Sequence, residues 1–172
     1  MRGFFAGVVA VIIVGLIAGY VLLQSGLIPA NADAKPGGLE LWAANTSLKA
    51  TMKREAPSGL NPVALTDSSL IEGIHLYSQH CSICHGTAAG DATASPVARG
   101  LYPAPPQLAT EGVEDDPEGI SYWKIKHGIR LSGMPAWGGT LNDRQIWAIA
   151  LFLKHMDKLP TGAQTEWKNV KN

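Results

Sequence analysis

The pattern of hydrophobic and polar positions divides the chain into three parts. The first is an apolar run from Phe4 to Leu23 that contains no charged residue. A helix of that length spans about 30 Å, which is the thickness of a bilayer core. We therefore predict a single transmembrane anchor over residues 1–28. The alternative is a cleaved signal peptide, for which Ala30-Asn31-Ala32 offers a site, although signal sequences usually have a shorter apolar core of about 7–15 residues.

Residues 29–66 form the second part and show no sustained periodicity. They contain prolines at positions 29, 36, 57 and 62 and glycines at 37, 38 and 59. This composition predicts an irregular linker, within which residues 39–54 are compatible with a short helix. The linker is either flexible, so that the next domain moves between partners, or ordered against another subunit.

Helical periodicity dominates the third part, residues 67–172, which we predict to be one all-α domain. Ser69 and Glu72 have the spacing of a capping box, and an apolar stripe follows at Leu70, Ile74, Tyr77 and Cys81. Gly73 lies inside this helix and indicates a close approach by another element. No stretch shows the alternation of a strand.

The remaining elements of this domain follow from caps and breakers. Asn142 and Gln145 can cap a last helix, whose apolar stripe is Ile146, Ile149, Ala150, Leu153 and Met156. We expect Phe152 and Ile149 to lie across Gly73. A shorter helix is predicted over residues 117–127, and the Gly-, Ala- and Pro-rich residues 86–113 are predicted to be loop.

Composition narrows the possible functions. The chain has 14 Lys+Arg and 14 Asp+Glu, so it has no net basic charge to favour nucleic-acid binding. Its only two cysteines are Cys81 and Cys84, too close in sequence to staple a fold. They indicate a redox, metal or haem motif instead.

Cys81-Ser82-Ile83-Cys84-His85 has the C-x-x-C-H form of covalent haem c attachment. Residues three apart share a helix face, so both thiols can meet the vinyl groups of one porphyrin, and His85 can then bind the iron. A thioredoxin-like dithiol would follow a strand, which is not predicted here. A zinc site would need further ligands, and there is no second cysteine pair.

Met134 is the favoured second axial ligand, because it stands in a glycine-containing loop between two predicted helices, 49 positions after His85. Met156 lies on the apolar stripe of the last helix, where core packing explains it. His127 is the alternative ligand, since it precedes the same loop. His75 and His80 share a helix with His85 and cannot reach the opposite face of the same haem.

These residues resemble the class I c-type cytochromes. The resemblance covers residues 67–158: Gly73 and Tyr77 before C-x-x-C-H-Gly, a proline-rich loop, Gly-Met-Pro-Ala-Trp, and a final helix with an aromatic residue. More closely, the chain is similar to membrane-anchored, mono-haem cytochromes of bacterial respiratory chains.

The resemblance implies further site residues. Pro106 would place its carbonyl on the proximal histidine, and Leu108 would contact the haem. Contacts with the haem edge or propionates are implied, alongside ordinary packing, for four more residues: Tyr102, Trp123, Arg130 and Trp137.

Together these inferences predict an electron carrier rather than an enzyme. Two protein axial ligands leave no position for substrate, and a methionine ligand raises the potential. The positive-inside rule places Arg2 in the cytoplasm and the haem domain in the periplasm, with residues 4–23 in the inner membrane. Expected partners are a quinol-oxidising complex or dehydrogenase and a terminal oxidase or photosynthetic reaction centre. The alternatives are a fixed subunit of one such complex and, remotely, a haem sensor or peroxidase.

The acidic run at residues 111–118 has two interpretations. It is either a solvated face or a patch that steers a basic partner.

Overall fold

The computed structural model describes residues 1–90 and 95–170. Residues 91–94 of the predicted loop and residues 171–172 of the predicted domain lie outside this description. The chain divides into two compact units, Met1–Lys35 and Pro36–Asn172.

The first unit consists mainly of helix α1, Arg2–Gln24. Its 23 residues have a length of about 35 Å at 1.5 Å per residue. Each of its residues is exposed, so none packs against another part of the first unit. Within the described residues, α1 is the one helix long and apolar enough to cross a membrane, a criterion that a signal sequence also meets.

In the described part of the second unit the regular elements are helices, joined by turns and irregular segments, and the β-type pairing is one isolated bridge between Thr87 and Gly90. This confirms the predicted all-α fold. Its helices are α2 (Gly38–Glu55), α3 (Asp67–His80), α4 (Ser82–His85), α5 (Pro96–Gly100), α6 (Leu108–Glu111), α7 (Glu118–His127), α8 (Asp143–His155) and α9 (Thr161–Asn169). Short 3-10 turns lie at Trp137–Gly139 and Met156–Lys158.

Helices α3 and α8 cross at Gly73, and the predicted contact with Phe152 is confirmed. A Cβ atom placed on Gly73 would lie 2.8 Å from Phe152 Cβ and even closer to the Ala148 carbonyl oxygen. The nearest backbone therefore belongs to Ala148 rather than to Ile149. Glycine is required here because no side chain fits between the two helices.

The ends of these two helices differ in how well they were predicted. Asn142 and Gln145 form the expected capping box of α8, with Asn142 Oδ1 accepting from Gln145 N at 3.0 Å. The cap predicted at Ser69 is wrong, because α3 begins earlier and Thr66 Oγ1 accepts from Ser69 N at 3.1 Å. Glu72, free of a capping role, instead pairs with Arg144 of α8.

Helix α9 was not predicted from the sequence and completes the core. Trp167 places its ring 5.5 Å from the ring of Tyr77 and 5.0 Å from that of Phe152, both edge-on. Tyr77 and Phe152 also meet edge-on at 5.5 Å. Three aromatic rings from α3, α8 and α9 thus interlock, a geometry that adds to the stabilisation from buried area.

The residues predicted as loop between 86 and 113 include two short helices. Ser95 caps α5 by accepting from Ala98 N, and Pro96 suits the first turn because its missing N–H is not needed there. Helix α6 begins after Gln107, whose carbonyl accepts from Glu111 N at 2.8 Å. The predicted helix at 117–127 is observed as α7.

Residues 36–66, which the sequence assigned to a linker, belong to the second unit. Helix α2 buries Met52, and Trp123 Nε1 of α7 donates to Glu55 at 3.3 Å. Asn61 Nδ2 donates to Glu118 Oε1 at 2.9 Å and to the Trp147 carbonyl at 3.1 Å. Such long-range hydrogen bonds leave no signal in local periodicity.

Replacing Gly73 by Ala tests the helix crossing. The new methyl group meets backbone as well as side chain, so we expect a loss of about 1–3 kcal/mol from overpacking, partly offset by the better helix propensity of Ala. Gly59→Ala is the control, since nothing lies within 4 Å of its added Cβ. Denaturant unfolding measures both; equal stability of the two variants would contradict the crossing described here.

Candidate functional site

The C-x-x-C-H motif lies where α3 ends and α4 begins. Cys81 is both the C-cap of α3 and the N-cap of α4. Its carbonyl accepts from Cys84 N at 3.1 Å and from His85 N at 2.9 Å. Both thiols are free of any disulfide, and burial raises the pKa of Cys81 to about 12, with the neighbouring Cys84 adding to the shift. A single helical turn therefore carries two free thiols followed by an imidazole.

Tyr77 anchors the chain immediately after the motif. Its hydroxyl donates to the Gly86 carbonyl at 2.9 Å, and its side chain is fully buried. Burial raises the pKa of Tyr77, so the hydroxyl stays protonated and keeps donating. Gly86 has a φ of +80°, which lets the chain turn sharply away from His85.

The imidazole of His85 is held in one orientation by the proline-rich loop. Its Nδ1 lies 2.8 Å from the carbonyl oxygen of Pro106. A carbonyl can only accept, so Nδ1 carries the proton and Nε2 is left with a free lone pair. Burial lowers the pKa of His85, opposed by the Pro106 hydrogen bond and by the charge of Glu111. A neutral imidazole with its Nε2 lone pair available is the form that ligates iron.

Gln107, which sequence reasoning missed, ties this loop to the motif. Its Nε2 donates to the Cys84 carbonyl at 3.1 Å and to the Pro105 carbonyl at 3.0 Å. Its side chain is buried, which is unusual for glutamine and explained by these bonds. Leu108 follows at the start of α6, half-buried against the hydrophobic core.

The Met134 loop is a closed turn built on its own hydrogen bonds. The Met134 carbonyl accepts from Ile129 N at 3.1 Å, and Met134 N donates to Ser132 Oγ, also at 3.1 Å. Gly128 has a φ of +65°, and a Cβ there would lie 2.6 Å from the carbonyl carbon of Pro135. The Met134 side chain is half-buried and packs, like Cys81 and Leu108, at the margin of the same core cluster.

The alternative sulfur and nitrogen ligands have other surroundings. Met156 is buried within the core, where packing accounts for it. His127 is exposed, with its ring 5.2 Å from that of Trp123.

The remaining candidates lie on several elements. Tyr102 donates to Glu40 Oε1 of α2 at 2.8 Å, and Trp123 donates to Glu55 of the same helix. Trp137 packs its ring 4.9 Å from that of His80, and Arg130 is exposed in the Met134 loop. The two glutamates of α2 are partners that the sequence did not indicate.

Most of the acidic run is used within the domain. Asp116 pairs with Lys124 at 2.7 Å, and Glu118 accepts from Asn61. Glu111 and Glu114 accept from the backbone N–H groups of Gln107 and Val113. Four of the five acidic side chains of the run therefore have partners within the domain.

The two thiols and the imidazole of the motif have the chemistry that haem c requires. Among the described residues, no group of three or more His, Cys, Asp or Glu side chains could hold a metal. Porphyrin supplies four nitrogen ligands itself, so the protein needs only axial ligands and, for haem c, two thiols. Cys81, Cys84 and the oriented His85 supply the two thiols and one imidazole, and Met134 stays the predicted second axial ligand.

Comparison with known proteins agrees with the interpretation of the motif as a haem c attachment site. Residues 69–153, which run from α3 to α8 and include both the motif and Met134, match the family model of cytochrome c oxidase, cbb3-type, subunit III. No curated protein and no solved structure matches the chain. The all-α fold and the family match define a class I c-type cytochrome, a class of haem-binding electron-transfer proteins.

Proposed function

We propose that this chain is a membrane-anchored, mono-haem cytochrome c that transfers single electrons on the periplasmic side of a bacterial inner membrane. Cys81 and Cys84 hold the haem through thioether bonds, and His85 Nε2 and Met134 Sδ are the axial ligands. The observation that carries the proposal is the hydrogen bond from His85 Nδ1 to the Pro106 carbonyl. Metal-ligating histidines commonly donate their second ring N–H in this way, which orients the ring and leaves the other nitrogen for the metal.

The surrounding residues suit electron transfer. When bound, the haem iron supplies a one-electron couple whose potential a methionine ligand raises. The chain holds the imidazole through Pro106, anchors the motif through Tyr77, and closes the Met134 loop on itself. Ligands held this firmly keep the site similar in both oxidation states, and with both axial positions taken by protein no position is left for a substrate.

Helix α1 supports the membrane location. It is uncharged after Arg2, and the positive-inside rule places that end in the cytoplasm. The haem domain would then lie in the periplasm. Its donor would be a quinol-oxidising complex or dehydrogenase, and its acceptor a terminal oxidase or photosynthetic reaction centre.

Replacing Met134 tests the ligand assignment. Met134→Ala should lose the near-infrared sulfur-to-iron charge-transfer band of the oxidised protein, and its reduced form should bind CO. The wild-type protein should keep the band and fail to bind CO at neutral pH.

Met156→Leu is the matched control, because Met156 is a core methionine of similar volume. It should keep the band. Loss of the band in the Met156 variant alone would reverse the assignment, and CO binding by the wild type would favour a sensor or peroxidase.

A second candidate is a fixed subunit of a larger respiratory complex. The matching family model describes a subunit of an oxidase. In addition, α2 and the residues that follow it up to position 66 pack on their own domain, so the connection from α1 to α2 is residues 25–37. As a flexible chain these residues have an end-to-end distance of about 20 Å, less than a fully flexible linker over 29–66 would allow.

Purification in mild detergent through a C-terminal tag separates the two candidates. A mobile carrier should elute without other chains in a fixed ratio, at both low and high salt. Recovery of the same partner chains in constant ratio would establish a fixed subunit and contradict the mobile carrier.

A further inference from the structure

One peptide group links His85 to a carboxylate. The carbonyl of Pro106 and the N–H of Gln107 belong to the same peptide unit. The carbonyl accepts from His85 Nδ1 at 2.8 Å, and the N–H donates to Glu111 Oε1 at 2.7 Å. The imidazole, the peptide and the carboxylate thus form a continuous chain of hydrogen bonds.

We propose that Glu111 is a positioning residue that polarises the 106–107 peptide and thereby lowers the reduction potential of the iron bound by His85. The inference rests on the proposed function, in which His85 is an axial ligand. It assigns a role in setting the potential to a residue that does not contact the haem ligand.

The physical basis is the resonance of the peptide bond. Donation from the N–H to an ionised carboxylate increases the negative charge on the carbonyl oxygen of the same unit. That oxygen then accepts more strongly from His85 Nδ1, which makes the imidazole a stronger electron donor. A stronger donor stabilises ferric over ferrous iron, so the potential falls.

The local structure keeps Glu111 in place. Gln107 is the N-cap of α6, and its carbonyl accepts from Thr110 N at 3.0 Å and from Glu111 N at 2.8 Å. The Gln107 side chain also fixes the 106–107 peptide, because its Nε2 donates to the carbonyls of Cys84 and Pro105. One helical turn therefore returns the carboxylate to the peptide that faces His85.

The charge of Glu111 acts in the same direction as the hydrogen-bond chain. Its carboxylate lies one peptide group away from the imidazole, and a negative charge at that place favours positive charge on the ring. The same sign favours the ferric state of an iron bound to that ring.

The test compares the potentials of holoprotein variants by spectroelectrochemistry. Glu111→Gln keeps an acceptor oxygen but removes the charge, and Glu111→Ala removes both. Asp115→Asn is the control, because it removes a charge from the same acidic run outside the hydrogen-bond chain.

The proposal predicts graded shifts toward the reduced state. The ratio of reduced to oxidised protein at a fixed potential should rise about threefold in Glu111→Gln and about tenfold in Glu111→Ala. These changes correspond to ~28 and ~59 mV for one electron. Asp115→Asn should change the ratio less than twofold. The His85 Nδ1 proton of the reduced protein should also exchange faster with solvent in Glu111→Ala, as measured by NMR.

Two results would overturn the inference. If the potentials of both Glu111 variants equal that of Asp115→Asn, Glu111 has no specific effect on the iron. If Glu111→Gln and Glu111→Ala shift the potential equally, the charge of Glu111 alone explains the shift and the hydrogen bond to the peptide plays no part. If Glu111→Ala does not fold, Glu111→Gln against Asp115→Asn decides. A wild-type protein without the spectrum of a His/Met haem c would fail the proposed function instead, whereas an intact spectrum with unmoved potentials fails this inference alone.

Discussion

The close crossing of α3 and α8 at Gly73 is the constraint on which the rest of the domain depends. Because Gly73 has no side chain, the backbone of α8 approaches α3 and brings Phe152 against Tyr77 one turn further on. Trp167 of α9 closes the same aromatic cluster. Tyr77 is thereby held so that its hydroxyl reaches Gly86, the residue directly after His85.

Two loops then determine the chemistry available around the motif. The proline-rich loop fixes the His85 tautomer through Pro106 and is itself held by Gln107 and Glu111. The Met134 loop is closed by hydrogen bonds that involve Ile129 and Ser132. Loops positioned by a rigid scaffold commonly carry the functional residues of a protein. Here the scaffold is the helix crossing, and the loops present the residues that we assign to the haem.

The parts of the fold that were predicted from the sequence are those governed by local patterns. The stripe of α8, its cap at Asn142 and the glycine in α3 each have a signature within a few residues. The C-x-x-C-H motif is equally local, because its spacing is that of one helical turn.

The parts that were not predicted depend on contacts between distant residues. Residues 36–66 are held in place by Asn61, whose side chain bonds to Glu118 and to the carbonyl of Trp147. These partners lie 57 and 86 positions further along the chain. Gln107 looks like an ordinary polar loop residue until the motif folds against it, and Glu111 looks like one member of an acidic run. The hydrogen-bond partner of such a polar side chain is determined by tertiary packing, so it cannot be inferred from the neighbouring sequence.

The most direct test of the central claim is the mass of the intact, denatured protein after expression with a cytochrome c maturation system. Covalent attachment through both thiols predicts the mass of the chain plus one haem, with no thiol left to alkylate. The Cys81→Ala, Cys84→Ala double variant should show the chain alone. A wild-type protein that releases its haem on denaturation, or that still has two free thiols, would contradict the account.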